Sequence, residues 1–511
     1  LCGLCLNLKA ETQGDIVGRV LDDSGAPLVG ATVQMVNAKG GVTTDEDGYF
    51  RIPYSKDGAV RVKVSFVGYQ TQTFVLKADE RKGEQHVLRL QPDATALDQV
   101  VVTATRTPKA LKDAPVVTRL ITANDIKIAD ATNIQDLLTE QMPGLEFGYA
   151  MNQETSLNMN GFGGNAVLFL VDGERLAGET MDNVDYSRLN LDNVGRIEIV
   201  KGAASALYGA NAVAGVINII SRENSEPWTA NVNTRYNDFN KEWRHGGSFS
   251  FNAGKWNSQT SIQRTTSDEV QLTSPFDTES NILHIYGGEI FNVKERLTYK
   301  LSNKVKLIGR GGYFARISNR SNYDDHYKDY SAGLKTVMNL SENDNLEISY
   351  GFDQYDKTRF VNNERTHDHD YTNRQDIVRA LYSHIFGKNT LTAGADFLND
   401  YLTTYQFANN GSKTQNSYDA FAQFDYNPLQ WLNIVASLRH DYFSASSQHA
   451  TTGRLALMTK WKGFSIRANY AGGFRAPTLK EMYMNFDMAG MQMIYGNPDL
   501  KPEKSNNFNL A

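Results

Sequence analysis

The residue types that bind metals or do redox work occur at few places in this chain of 511 residues. Cys2 and Cys5 form a C-x-x-C pair, which beside a βαβ pattern would mean redox chemistry and with a second pair would mean zinc. They are the only two cysteines, and they lie in the most apolar end of the sequence. Residues 1–10 are therefore expected to be a signal-peptide remnant, with Leu8-Lys9-Ala10 as the cleavage site, leaving a mature chain free of cysteine, as suits export. His367-Asp368-His369-Asp370 and Asp324-Asp325-His326 carry imidazole and carboxylate donors. A metal site at His367 and His369, docking of a metalloprotein, or plain solvated charge would each fit. Asp45-Glu46-Asp47-Gly48 lacks the later bidentate Glu of a calcium loop and reads as a turn. Gly161, Gly163 and Gly164 are not followed by Gly-Lys-Ser and open no helix, so tight loops fit better than a phosphate cradle. No recognisable set of acid, base and nucleophile is present, and an enzyme is not expected.

Charge and hydropathy narrow the class further. Basic residues number 52 and acidic 58, for a formal charge of −6, so no basic excess invites nucleic acid. Mean hydropathy is −0.45, and no apolar run is long enough for a membrane-spanning helix. A transmembrane barrel stays open, because its strands need only about 9 to 11 alternating residues each.

The elements that would position any site are mostly strands. Between Asp15 and Leu90, short β-prone runs (Ile16 to Val20, Ala31 to Val36, Gly48 to Ile52, Val60 to Phe66, Gln72 to Leu76) alternate with Gly, Asp, Asn and Pro turns. An all-β sandwich is expected over 14–92. The order of these runs resembles the carboxypeptidase regulatory-like module found in front of outer-membrane receptors of Bacteroidetes. Leu97 to Thr105 is a β-branched run closed by Arg106-Thr107-Pro108-Lys109. It reads either as a buried strand or as an extended segment that pairs with another protein's sheet edge. Helical spacing follows over Asn124 to Thr139, with Ile126, Ile134, Leu137 and Leu138 apolar, and then buried strands at Val167 to Asp172 and Val213 to Ile220. Leu138 to Gly144, Val171-Asp172-Gly173, and above all Arg196-Ile197-Glu198-Ile199-Val200-Lys201-Gly202 running on to Tyr208-Gly209 and Ile220, resemble the plug of TonB-dependent outer-membrane receptors. The resemblance implies a plug over 106–225 and an energy-coupling TonB box over 97–105, with Asp98, Gln99, Val100, Val101, Val102 and Thr103 engaging the periplasmic TonB protein.

From 228 to 511 the chain reads as hairpins. Short turns recur at Gly254-Lys255-Trp256, Ser302-Asn303-Lys304, Glu342-Asn343-Asp344, Gly387-Lys388-Asn389, Asn427-Pro428-Leu429 and Lys460 to Gly463. Long polar stretches, Asn319 to Asp329 and Lys357 to Gln375 among them, lie between the turns and are expected to be loops. One strand before the first turn, two for each of the six turns, and a last one near Ser505 give about 14 strands. The fold class expected is thus mainly β: a small sandwich, an α/β plug and a transmembrane antiparallel barrel. Plugged barrels have about 22 strands, so this one is expected to be a 22-strand type with its C-terminal part missing.

Phe474-Arg475-Ala476-Pro477 and Asn497-Pro498-Asp499-Leu500 resemble the FRAP and NPDL boxes of haem and haemoglobin receptors. Such receptors commonly place a His between the boxes and another on the plug, and this chain has neither. Met482, Met484, Met488, Met491 and Met493 fill the interval instead, and thioether sulfur is a soft ligand for haem iron as well as adaptable packing. Met151 and Met159 on the plug could face Met484, Met488, Met491 and Met493. The resemblance implies an importer of a scarce metal chelate in the outer membrane, most often haem, with a ferric siderophore or cobalamin as alternatives. It also implies no intrinsic cofactor, barrel contact with outer-membrane lipid, and a surface lipoprotein or haemoprotein as a possible partner.

Overall fold

The computed structural model describes residues 14–511 apart from 23–26, 29, 37–40, 46, 55–59, 67–68, 70, 77–85, 91–99, 150–152, 181–182, 223–225, 273–282, 462–463 and 489. The C-x-x-C pair thus lies outside the described residues. Two compact units make up the chain: Leu1–Val100 with Ala110–Lys112, and Val101–Lys109 with Asp113–Ala511.

In the first unit, strict alternation builds two facing sheets. Val60, Val62 and Val64 point inward while Arg61 and Lys63 face solvent. One sheet has the order Tyr49–Tyr54, Gly14–Leu21, His86–Arg89, and the other the order Gly41–Thr43, Thr32–Met35, Val60–Ser65, Gln72–Leu76. Between them lie Ile16, Val20, Val33, Phe50, Ile52 and Leu88. The strands Gly41–Thr43 and His86–Arg89 escape the sequence pattern because each is three or four residues long, and the second pairs in parallel with a strand almost seventy residues away. Asp45 forms the expected turn: its carboxylate accepts from the Asp47 and Tyr49 amides at 3.1 and 2.8 Å, and Gly48 sits at φ 78°.

The second unit opens with the plug. Its five-stranded sheet runs Thr118–Thr122, Val194–Lys201, Gly215–Ser221, Val167–Val171, Glu174–Arg175. Ile197, Ile199, Ile217 and Phe169 face a core completed by Ile134, Leu137, Leu138 and Tyr186. The single helix expected over Asn124 to Thr139 is two helices, Ala123–Ala129 and Ile134–Gln141. Asp130 closes the first in the left-handed region at φ 50°, and the Asn133 side chain caps the second through the Asp136 amide. Apolar periodicity alone spans such a break unnoticed.

Fourteen strands, from Trp228–Asn237 to Glu503–Leu510, form one antiparallel sheet in chain order, which is the number the turns implied. Its polarity is inverted relative to a soluble protein. Gln259, Ser261 and Gln263 are buried on the inner face while Ile262 is exposed, and Arg439 and Arg454 are buried while Leu438 and Leu455 are exposed. That is the alternation of a wall with lipid outside and a polar interior. Two expectations are corrected. The stretches Asn319 to Asp329 and Lys357 to Gln375 are mostly strand, with Asp344–Val361 and Glu364–Phe386 joined by a tight turn at Asn362 and Asn363, both at positive φ. Polar alternation holds a strand as well as apolar alternation does once the neighbouring ladder continues. The turn expected at Asn427-Pro428-Leu429 falls instead at Gln430 and Trp431, because the strand continues to Leu429 across a register shift at Pro428, which has no N–H for the ladder.

Candidate functional site

The candidate site is the seam where the plug meets the inner face of the wall, and three groups of residues build it. The first is the segment Val101–Lys109. It was expected to be extended through Thr105, but after Val101 it turns at Thr103 to Thr105 and buries Thr103, Ala104 and Thr105. The plug side chain of Glu198 takes the Val102 and Thr103 amides, and side chains of the wall hold Ala104, Thr105 and Lys109. Arg454 donates to the Ala104 carbonyl at 3.2 Å, Gln423 to the Thr105 carbonyl at 2.7 Å, and Lys109 pairs with Asp425 at 2.7 Å. Arg106 lies over the Tyr208 ring at 4.4 Å and the Phe421 ring at 5.0 Å, 4.0 Å from Asp396. Burial and the neighbouring Arg379 bring its pKa down to about 10. Asp98 and Gln99 lie outside the described residues.

The second group docks the plug through buried charge. Arg188 donates to Asp329 at 2.7 Å and to both oxygens of Asp353 at 2.8 and 2.9 Å, and all three residues are buried. Burial works against the Arg188 charge, but the two aspartates outweigh it and raise the guanidinium pKa. Asp185 accepts from Arg316 at 3.0 Å and from the Tyr355 hydroxyl at 2.8 Å. Burial alone would raise the Asp185 pKa, and Arg316 with the Ser187 and Tyr355 hydrogen bonds holds it below the ordinary value. Glu154 accepts from the Tyr327 hydroxyl at 2.8 Å. None of these residues stood out in the sequence. Asp329 and Asp353 occupy inward positions of alternating strands, as many polar residues of this wall do, and their plug partner is 141 and 165 residues away.

The third group lines a cleft of about 170 Å³ between the plug residues Asn165, Gly178 and Asn211 and the wall residues Asn373, Arg439 and Asp441. Arg439 pairs with Asp419 at 2.6 Å and with Asp441 at 2.9 Å. Arg175 enters the same cleft, its pKa pushed down to about 10 by burial and by Arg439 and Arg379. Ala476 and Pro477 of the first box line the same cleft. Phe474 is buried, its amide donating to Ser205 and its carbonyl accepting from the Asn211 amide. Arg475 bridges Glu481 at 2.9 Å and Glu503 at 2.6 Å. Ala476 and Pro477 lead into the helix Leu479–Tyr483, which opens on a reciprocal cap between Thr478 and Glu481. Burial raises the Glu481 pKa, but the Arg475 and Thr478 hydrogen bonds outweigh it and hold the carboxylate below its usual range. The Asn497 amide donates to the Glu481 carbonyl at 2.9 Å, and Asn497 in turn accepts from the Asp499 and Leu500 amides, with Pro498 exposed between them. Phe474 thus ties the strand Phe464–Arg475 to the plug, while Arg475 and Asn497 brace the helix Leu479–Tyr483.

The methionines do not converge as expected. Met159 is enclosed in the plug core and cannot face the barrel interior, since its sheet position turns it toward Gly215 and the other buried apolar side chains. Met151 lies outside the described residues. Met482 is buried, Met484 is half-buried, and Met488, Met491 and Met493 are exposed on the hairpin Asn485–Asp487/Met493–Tyr495. His367 and His369 are on the strand Glu364–Phe386 rather than in a loop, His367 against Asp370 at 2.8 Å and His369 against Asp368 at 3.2 Å. Among the described residues no three His, Cys, Asp or Glu side chains are grouped to hold a metal ion, so the His367 and His369 pair lacks a third donor.

Residues 110–216 match the model of the TonB-dependent receptor plug domain, 218–511 that of the TonB-dependent receptor-like β-barrel, and 16–102 that of the CarboxypepD_reg-like domain. The iron-regulated outer membrane virulence protein of Vibrio cholerae is 24% identical over 452 residues, which cover 82% of this chain and 66% of that protein. The vitamin B12 transporter BtuB of the same species is 27% identical over 453 residues, covering 83% of this chain and 68% of the transporter. This chain spans about two thirds of the length of these curated relatives. The crystal structure of the siderophore receptor PirA from Acinetobacter baumannii shares the fold, with a TM-score of 0.65 at 17% identity over 77% of this chain and 67% of that one.

Proposed function

Because the chain belongs to the TonB-dependent receptors of the outer membrane, a family of transport receptors and not of enzymes, we propose that it imports a scarce metal chelate, with residues 97–105 engaging the periplasmic TonB protein. The observation that supports this best is the plug docked on the inner face of the wall through Arg188, Asp329 and Asp353. A passive pore has no use for a plug so held, whereas an importer needs one that blocks the lumen and yields to work. The chain carries no phosphate-binding loop, so the work comes from outside it through the coupling segment.

The rim and the relatives favour different chelates. Haem is the reading favoured by the two boxes and by the exposed thioethers of Met488, Met491 and Met493, which are soft donors for iron. A ferric siderophore or cobalamin is the reading favoured by the named ligands of the relatives. Haemin, cobalamin and ferric enterobactin titrated against the receptor, read by absorbance and calorimetry, separate the two. If haem is the cargo, haemin binds with a shifted Soret band and Met488→Ala with Met491→Ala weakens it at least tenfold. Unchanged haemin affinity and spectrum in that double variant would sink the methionine reading. Deleting 97–105 should abolish uptake and spare binding, and uptake that persists would refute the coupling role.

A further inference from the structure

We propose that the Glu198 carboxylate is a latch that keeps the end of the coupling segment from its partner's strand, a reading that rests on residues 97–105 being the TonB-engaging segment. Glu198 sits at the centre of the strand Val194–Lys201, fully buried, in register with Leu120 on one side and Asn218 on the other. Its neighbours Ile197 and Ile199 face the apolar core, which leaves Glu198 on the opposite face of the sheet. A buried carboxylate is costly unless its lone pairs are filled. Here they are filled by the segment itself. One oxygen accepts from the Val102 amide at 2.9 Å, the Thr103 amide at 2.8 Å and the Thr103 hydroxyl at 2.7 Å, and the other accepts from Arg196 Nε at 2.8 Å. Two further plug side chains close the grip: the Tyr208 hydroxyl donates to the Thr103 carbonyl and the Asn218 amide to the Thr103 hydroxyl, each at 3.0 Å.

The consequence is geometric. Strand addition to another protein's sheet uses the amides and carbonyls of alternate residues along the added segment. The Val102 amide and both backbone polar groups of Thr103 are already spent on plug side chains, so pairing cannot extend through these residues while Glu198 holds them. Hydrogen bonds to a carboxylate are about twice as strong as neutral ones, so Glu198 dominates the hold on Val102 and Thr103. The apparent affinity for a strand-adding partner falls by the fraction of molecules in which the segment is released. Glu198 is therefore a positioning residue that sets the threshold for engagement without touching the partner or the cargo.

The test uses this chain in detergent micelles, the purified C-terminal periplasmic domain of TonB, and a synthetic peptide of residues 95–106 as a free segment. Glu198→Ala and the milder Glu198→Gln are compared with Thr103→Val, which removes one donor to the carboxylate and leaves the backbone amides in place. Glu198→Ala should speed hydrogen exchange at Val102 and Thr103 and tighten binding of the TonB domain roughly tenfold. Glu198→Gln and Thr103→Val should shift both in the same direction by less. Peptide binding together with variants that bind TonB no tighter than the parent overturns the latch and leaves the coupling role standing, whether or not exchange quickens. A peptide that does not bind refutes the coupling role, and the latch with it.

Discussion

Replacing Arg188 by Met keeps an unbranched apolar stem and removes the guanidinium, leaving Asp329 and Asp353 buried without their ion-pair partner. Breaking a buried pair from one side costs about 3–5 kcal/mol, because the remaining charge is stranded in a poorly solvated place. Each ~1.4 kcal/mol is a factor of ten in an equilibrium constant, so the population in which this part of the plug leaves the wall should rise by roughly two to three and a half orders of magnitude. Hydrogen exchange reads this directly at Ala177 and Gly178, whose amides donate to Asp353 at 3.1 Å and Asn373 at 2.7 Å and open only when the plug does. Asp329→Asn and Asp353→Asn added to Arg188→Met should restore most of the protection, since removing both sides of a buried pair is nearly neutral. Exchange that rises less than about fivefold in the single variant, or a triple variant no better protected than the single, would refute the view that this pair docks the plug.

Asp185 predicts a pH dependence at the same seam. Because its folded pKa lies below the unfolded value, its contribution is complete above about pH 4 and is lost as pH falls further. Protection of residues 185–188, corrected for intrinsic exchange, should therefore hold from pH 8 to 5 and drop below 4, and Asp185→Asn should abolish that drop. Gly178 stands at φ 80° with the space for a Cβ 2.4 Å from Tyr355, so Gly178→Ala should destabilise plug docking by about 2–4 kcal/mol in the same exchange assay. In the N-terminal unit the buried Thr44 hydroxyl donates to the Leu28 carbonyl and accepts from the Ala31 amide. Thr44→Val should cost that unit about 1–3 kcal/mol, read on its own thermal transition.

The legible and illegible parts of this molecule divide along a physical line. The strands of the wall could be counted from turns because register between chain neighbours is local: Gly254 and Lys255 bring Ala253 against Trp256, and the ladder then runs on from there. Three of the boundaries that failed were settled by a cap or a missing donor, at Asp130, Asn133 and Pro428. The run after Val101 departed from its extended reading for a different reason. Val100 to Thr105 has the composition of a strand, yet it turns at Thr103 because Glu198, 95 residues further on, offers its amide a better acceptor than a neighbouring strand would. Met159 is the same lesson in reverse, since it was expected to face the rim methionines and pairing with the strand Leu145–Tyr149 folds it into the core.

The site itself was the least legible part, and inverted polarity explains why. In a soluble domain an inward Asp or Arg breaks an apolar pattern and announces itself. Inside a barrel whose inner face is polar, Asp329, Asp353, Asp396 and Arg439 look like any other inward position. What distinguishes them is the company they keep: Arg188 for the first two, and Arg379 and Arg106 around Asp396. Arg379 faces Asp396 from the neighbouring strand, but Arg188 and Arg106 come from outside the wall, and their pairs can be seen only once the plug is seated. The same burial that hides them in the sequence makes them consequential, because a charge paired across a removable interface is stable only while the interface is closed.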